Sequence, residues 1–187
     1  MQKIILASNS PRRKKILGEA GYKFNIVPSN VSEDIYENNP HKFTQELSKR
    51  KAKAIAAKFS DAIIIAADTM VVMDNKLFGK PSDFTEAFSM LSTFSGKKHK
   101  VVTGITIIKN GEVITDSDEG TIKLKILTKA QIIEFINNTN PYDKAGGYSV
   151  EDLPKDYIDK IEGEVSTILG LPLHIVNRHL EFLKVRG

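Results

Sequence analysis

The chain contains no cysteine among its 187 residues. That excludes disulfides, thiolate metal sites and a cysteine nucleophile, and a reducing cytoplasm is the expected compartment. Long hydrophobic runs are also missing. None approaches the roughly 18 apolar residues that cross a bilayer, and Ile4 to Ala7 is too short for the core of a secretory signal. No membrane partner is expected. The chain has no internal repeat, no low-complexity tract and no Pro/Gly/Ser-rich linker, so a single domain over residues 1–187 is the expectation. The Gly-x-x-x-x-Gly-Lys-[Ser/Thr] loop is absent, which argues against a P-loop enzyme. A Gly-x-Ser-x-Gly elbow is absent too, which weakens a serine-hydrolase reading. The four histidines lack metal-ligand spacing, which argues against zinc.

What is present is an ordinary globular composition, with 41% hydrophobic and 27% charged residues. The net charge of +4 and pI near 9.1 lean toward an anionic partner. The basic residues are dispersed and no recognition motif is apparent, which disfavours a nucleic-acid module. Helical and strand patterns alternate, giving a mixed α/β (α+β) expectation. Strands are expected at Ile4–Ala7, Phe24–Pro28 and Ala62–Ala67, and at Thr121–Leu127. Hairpins are expected over Thr69–Phe78 and around Asn110-Gly111. Helices are expected to open at Ser10-Pro11, Asn39-Pro40, Asp83, Thr128 and Pro172. The second of these should run to about Phe59, with Phe43, Leu47, Ala54 and Ile55 as its core stripe. The third should carry a capping box from Asp83 to Glu86.

The first helix begins with charge of the wrong sign. Arg12, Arg13, Lys14 and Lys15 occupy its first turn, where the helix dipole favours anions, and each exposed cation there costs a few tenths of a kcal/mol. A bound anion resolves the conflict: free backbone N–H groups, the Arg12 and Arg13 guanidinium forks and the hydroxyls of Ser8 and Ser10 would converge on phosphate oxygens. Lys14 and Lys15 are read as pointing into water.

Other polar residues stand out by position. Asp68 follows Ile63-Ile64-Ile65-Ala66-Ala67, at the expected tip of a buried strand, where it could bind a divalent metal or accept a proton from water. Glu33, in a polar loop, could complete an oxygen-ligand site for Mg²⁺ with it. Lys51 interrupts the apolar stripe of its helix and so faces the protein. Lys80 is held in the rigid Gly79-Lys80-Pro81. His99, between lysines, is read as a surface or hydrogen-bonding histidine.

Taken in order, Ala7-Ser8-Asn9-Ser10-Pro11-Arg12-Arg13, Ala67-Asp68-Thr69, Gly79-Lys80-Pro81, Ser95-Gly96 with His99 and Thr103, Asp143 to Tyr148, and Gly170-Leu171-Pro172-Leu173 resemble the Maf family of nucleoside triphosphate pyrophosphatases. The resemblance implies a mixed α/β fold with a cleft between two lobes. It implies hydrolysis of a nucleotide to monophosphate and pyrophosphate with a divalent metal (Mg²⁺ or Mn²⁺), as nucleotide-pool housekeeping, and a homodimer. Asp68 would be the proton acceptor. Ser8, Arg12, Arg13, Lys51 and Lys80 would contact the triphosphate, and Glu33 would support metal or water. Arg12 and Thr69 match the branch acting on dTTP and UTP. Glu151 stands where that branch has glutamine and is more like the branch acting on 7-methyl-GTP. An ionised carboxylate only accepts hydrogen bonds whereas an amide also donates, so the base stays open. The other reading is a nucleotide-binding regulator of cell division for which turnover is not essential.

Overall fold

The computed structural model describes residues 3–185, with side chains through residue 181. The elements are β1 (Ile4–Leu6), α1 (Pro11–Glu19), β2 (Asn25–Ile26), α2 (Pro40–Ala56), β3 (Ile63–Met73), β4 (Lys76–Phe78), α3 (Phe84–Phe94), β5 (Lys98–Lys109), β6 (Glu112–Leu124), α4 (Lys129–Asn138), β7 (Ile158–Glu162), α5 (Val165–Ile168) and α6 (Leu173–Val185). The strands form one mixed sheet ordered β2-β1-β3-β5-β6-β7, with β4 on β3.

Local chemistry sets the element ends. Ser10 caps α1 by accepting the Arg13 N–H, and Pro11 takes the first turn. Gly21, at φ +82°, ends α1: its N–H reaches Gly18 O while that of Tyr22 reaches Leu17 O. Asn110 and Gly111 (φ 50° and 82°) turn β5 into β6, and Asp74 and Asn75 (φ 50° and 60°) turn β3 into β4. Positive φ at both central residues matches the twist of a two-residue hairpin. Thr128 and Gln131 form the full reciprocal box at α4. At α3 the box is half formed: Asp83 caps Glu86 N–H, but the Glu86 carboxylate turns to Ser82.

Two strand expectations need correction. β3 does not stop at Ala67 but runs on through Asp68 and Thr69 to Met73, and β6 runs unbroken from Glu112 to Leu124. Strand β7 and helix α5 were not anticipated. In α2 the buried stripe is Thr44, Leu47, Ser48, Ala52 and Ile55 rather than Phe43 and Ala54, and the helix ends at Ala56. The reason for that stripe is close approach. A Cβ on Gly104 of β5 would lie 2.3 Å from the Thr44 carbonyl carbon, so the first half of α2 lies hard against the strand, where the small Thr44 and Ser48 are buried. Their hydroxyls are satisfied, Thr44 by Pro40 O and Ser48 by Thr106.

β3 crosses between two packing regions. Ile63, Ile65 and Ala67 pack with Leu17, Ile105 and Val176 under α1 and α6. Val71 and Met73 belong to a second cluster with Leu91, Phe94, Ile122 and Phe135 under α3 and α4. One edge of β3 is covered by β5 throughout Ile64–Val72. The other pairs with β1 over Ile63–Ile65 and with β4 over Val71–Met73. Neither covers residues 66–70, and the cleft opens at that gap.

Candidate active site

Asp68 sits in that gap, in mid-strand rather than at a strand tip. Successive residues of a strand face opposite sides, so Asp68 and Thr69 point to different faces of the sheet, and the uncovered edge lets both reach one cleft. The cleft is about 350 Å³, and Ser8, Arg12, Arg13, Glu33, Lys51, Asp68, Thr69 and Lys80 all line it.

On one face, Lys51 of α2 joins both acids. Its Nζ lies 2.7 Å from Asp68 Oδ1 and 2.8 Å from Glu33 Oε1. Lys51 and Asp68 are nearly buried, whereas the Glu33 side chain is 51% exposed. Burial pushes the Asp68 carboxyl above its ordinary range, although Lys51 and Arg13 pull against it. At Glu33 burial acts upward too, but the Lys51 hydrogen bond, with the charges of Lys51, Lys80 and Arg13, leaves it below the usual range. The pair is thus asymmetric, with one carboxyl drawn toward protonation and the other held ionised.

On the other face stands Arg13 of α1. Its Nε donates to Gly170 O (2.8 Å), Nη1 to Ser8 Oγ (3.1 Å) and Nη2 to Thr69 Oγ1 (3.0 Å). Burial lowers its pKa, and the Asp68 charge opposes this. A guanidinium has five N–H donors, so two remain for a ligand. Ser8 Oγ accepts from both Arg13 and the Ser10 N–H. With both lone pairs engaged, its one hydrogen is left to donate. Arg12 and the exposed Lys80 line the same cleft. The Gly146 N–H bonds Gly79 O (2.8 Å), which fixes the Lys80 loop to the segment after α4.

Glu151 is placed differently from the rest. It pairs with Lys15 at 2.8 Å, while its neighbours Ser149 and Val150 line the cleft. Lys15 therefore does not simply point into water. His99 is not at the surface. It is 2% exposed, stacked on Phe94 with ring centroids 4.4 Å apart, and bonded through Nε2 to the Tyr148 hydroxyl. Strand alternation turns it inward between outward Lys98 and Lys100, a signal the flanking charges conceal. Sequence reasoning also missed the apolar wall, in which Val71, Val101, Ile122, Ile168 and Leu169 join Tyr148. These strand positions are legible only once the neighbouring strands are known.

A divalent cation suits part of this arrangement. Among the described residues no group of three or more His, Asp or Glu could hold a metal. Glu33 and Asp68 supply two carboxylates near one point, which fits Mg²⁺ or Mn²⁺ completing its shell with phosphate oxygens and water.

The profile of the family described as Maf-like protein matches residues 3–183. A dTTP/UTP pyrophosphatase of Thermosipho africanus is 44% identical over 91% of this chain and 88% of its own. One of Thermoanaerobacter sp. is 40% identical over 91% of each, and one of Caldicellulosiruptor saccharolyticus is 37% identical over 98% and 96%. The solved structure of the Staphylococcus aureus Ham1 protein aligns over 100% of both chains at 15% identity with a TM-score of 0.46, too distant to add to the assignment. With a family match across nearly the whole length, this chain belongs to the Maf family.

Proposed function

We propose that the protein hydrolyses a nucleoside triphosphate, dTTP or UTP in the first instance, to the monophosphate and pyrophosphate. The observation that carries this is the juxtaposition at the β3 gap: a buried carboxylate, Asp68, faces cations delivered from both sides of the sheet into one cleft. The names of the relatives support the reaction and the pyrimidine nucleotide. They also favour turnover over the regulator reading, which no feature of the cleft specifically supports.

The chain's own groups divide the work. Arg12, Arg13, Lys80 and the Ser8 hydroxyl hold the triphosphate and take up charge as it shifts toward the leaving pyrophosphate. Lys51 contacts Asp68 Oδ1, which leaves Oδ2 to accept the proton of an attacking water. The upward push on the Asp68 carboxyl makes it a better base at neutral pH than an exposed carboxylate. Glu33 and Asp68 would hold the Mg²⁺ or Mn²⁺ ion, with Lys51 fixing both acids. When bound, such an ion supplies charge neutralisation on the phosphates and alignment for in-line displacement.

The test is a panel of nucleoside triphosphates with canonical, 5-substituted and 7-methylated bases, each with Mg²⁺ and Mn²⁺, followed by pyrophosphate release. Asp68→Asn should lower kcat by about 10²- to 10⁴-fold while nucleotide affinity changes little. If no nucleotide yields pyrophosphate above the Asp68→Asn control, the proposal is wrong.

A further inference from the structure

We infer that Thr103, a residue of β5 that does not line the cleft, is a positioning residue: it sets the direction of a hydroxyl relay that holds the Arg13 guanidinium against the substrate's phosphates. The inference rests on the proposed reaction for one of its two readouts.

Thr103 is fully buried and stands in register with Thr69. Its Oγ1 lies 2.8 Å from Thr167 O and 3.1 Å from Thr69 Oγ1. Thr69 Oγ1 in turn receives Arg13 Nη2 at 3.0 Å. A hydroxyl has one hydrogen to give, and a carbonyl oxygen can only accept. The bond to Thr167 O therefore uses the hydrogen of Thr103. The hydrogen in the Thr69–Thr103 bond must then belong to Thr69. Thr69 keeps only lone pairs toward the cleft, and a guanidinium can only donate to them. The direction has one solution: Arg13 to Thr69, Thr69 to Thr103, Thr103 to Thr167 O.

Both ends of the relay rest on one turn. Gly170 O receives Arg13 Nε, three residues after the carbonyl that receives Thr103. Gly170 has φ +101°, and a Cβ there would meet Thr69 Oγ1 at 3.0 Å, so the turn passes close to the relay only because it carries no side chain at that position. Removing the acceptor at position 103 leaves the Thr69 hydroxyl free to turn its hydrogen toward Arg13. A donor would then face a donor, and the guanidinium would lose its fixed aim.

Thr103→Val keeps the shape of the side chain and removes the hydroxyl, whereas Thr103→Ser keeps the hydroxyl. Two readouts apply to each. The first is steady-state hydrolysis of the preferred nucleotide. The second is equilibrium binding of inorganic tripolyphosphate, which requires no chemistry. Thr103→Val should raise KM and weaken tripolyphosphate binding about tenfold, with a smaller change in kcat, and Thr103→Ser should restore both. In an Arg13→Ala background the same Thr103→Val change should matter less than about twofold, because the relay then ends on nothing. If Thr103→Val does not fold, Thr103→Cys replaces it, since a thiol is a weak donor and acceptor. Equal losses in the two backgrounds, or a Thr103→Ser protein as impaired as Thr103→Val, would overturn the inference and leave Thr103 a core residue. A wild-type chain that releases no pyrophosphate would overturn the functional reading instead, and the tripolyphosphate cycle would still decide the relay.

Discussion

Acidification should destabilise this protein through one ring, His99. Its Nε2 is bonded to Tyr148 and its face is stacked on Phe94. Among the described residues, its buried Nδ1 has no partner in hydrogen-bond geometry. Burial lowers the pKa from 6.5 to about 4, opposed only in part by the Lys97 backbone. The unfolded chain titrates near 6.5. Between those two values the unfolded state takes a proton that the folded state refuses. The stabilisation is therefore full above the unfolded pKa and is lost as pH falls toward the folded one. Integrated from about pH 7.5 to about pH 4.5, the loss is about 2.5 kcal/mol, a large share of the stability of an ordinary domain. The assay is urea unfolding at steps across that range for wild type and His99→Gln, whose amide oxygen can still accept from Tyr148 but does not titrate. Ion pairs that weaken in acid are common to both proteins and cancel in the difference. Wild type should lose about 2.5 kcal/mol more than the variant over the range. Parallel losses would refute the account of a neutral, buried His99.

Lys51→Met removes the cation that opposes the burial of Asp68, so the acid limb of the kcat/KM profile should move to higher pH. A uniform loss with an unmoved limb would restrict Lys51 to holding phosphate. Gly104→Ala places a methyl group 2.3 Å from the Thr44 carbonyl carbon, and because backbone rather than a side-chain tip is in the way, α2 must lift. A loss of about 3 kcal/mol or more in urea unfolding is expected, and a change below about 0.5 kcal/mol would show that α2 does not approach so closely.

The parts of the fold legible in the sequence are those decided within a few residues. Ser10-Pro11, Asn39-Pro40 and the Thr128–Gln131 box each fix a helix start by satisfying donors next to them in the chain. Asn110-Gly111 fixes a turn by its own backbone freedom. Strand length was not legible, because its polar residues find partners far away. Asp68 stays in β3 because Lys51 reaches it from α2. Asp116 and Glu119 stay in β6 because Arg178 of α6 and His41 of α2 meet them at 2.6 and 3.2 Å. A hydropathy pattern sees only the charge and ends the strand. The cleft residues follow the same division. Arg12, Arg13 and Asp68 were marked by local conflicts of charge and position, whereas Val101 and Ile122 carry no mark until the strands are paired.

The basic helix start shows how such a conflict resolves. The chain disposes of each backbone donor in the first turn of α1 in turn. Pro11 has none. The Arg13 N–H goes to Ser10 Oγ and the Lys14 N–H to Ser10 O. Among the described residues, the Arg12 N–H is left without a partner. Of the four cations, Lys15 is neutralised by Glu151, and Lys14 is exposed. Arg12 and Arg13 both line the cleft, and no acidic residue occupies the turn. One backbone donor, two guanidinium groups and the hydrogen of Ser8 therefore remain on one side of one helix end. Asp68 offsets part of that charge from across the gap, but it already gives one oxygen to Lys51. A ligand with several anionic oxygens compensates the remainder, and a single carboxylate does not. Under the proposed reaction, the helix that costs the fold stability through its first turn is for that reason the element that would select a polyphosphate.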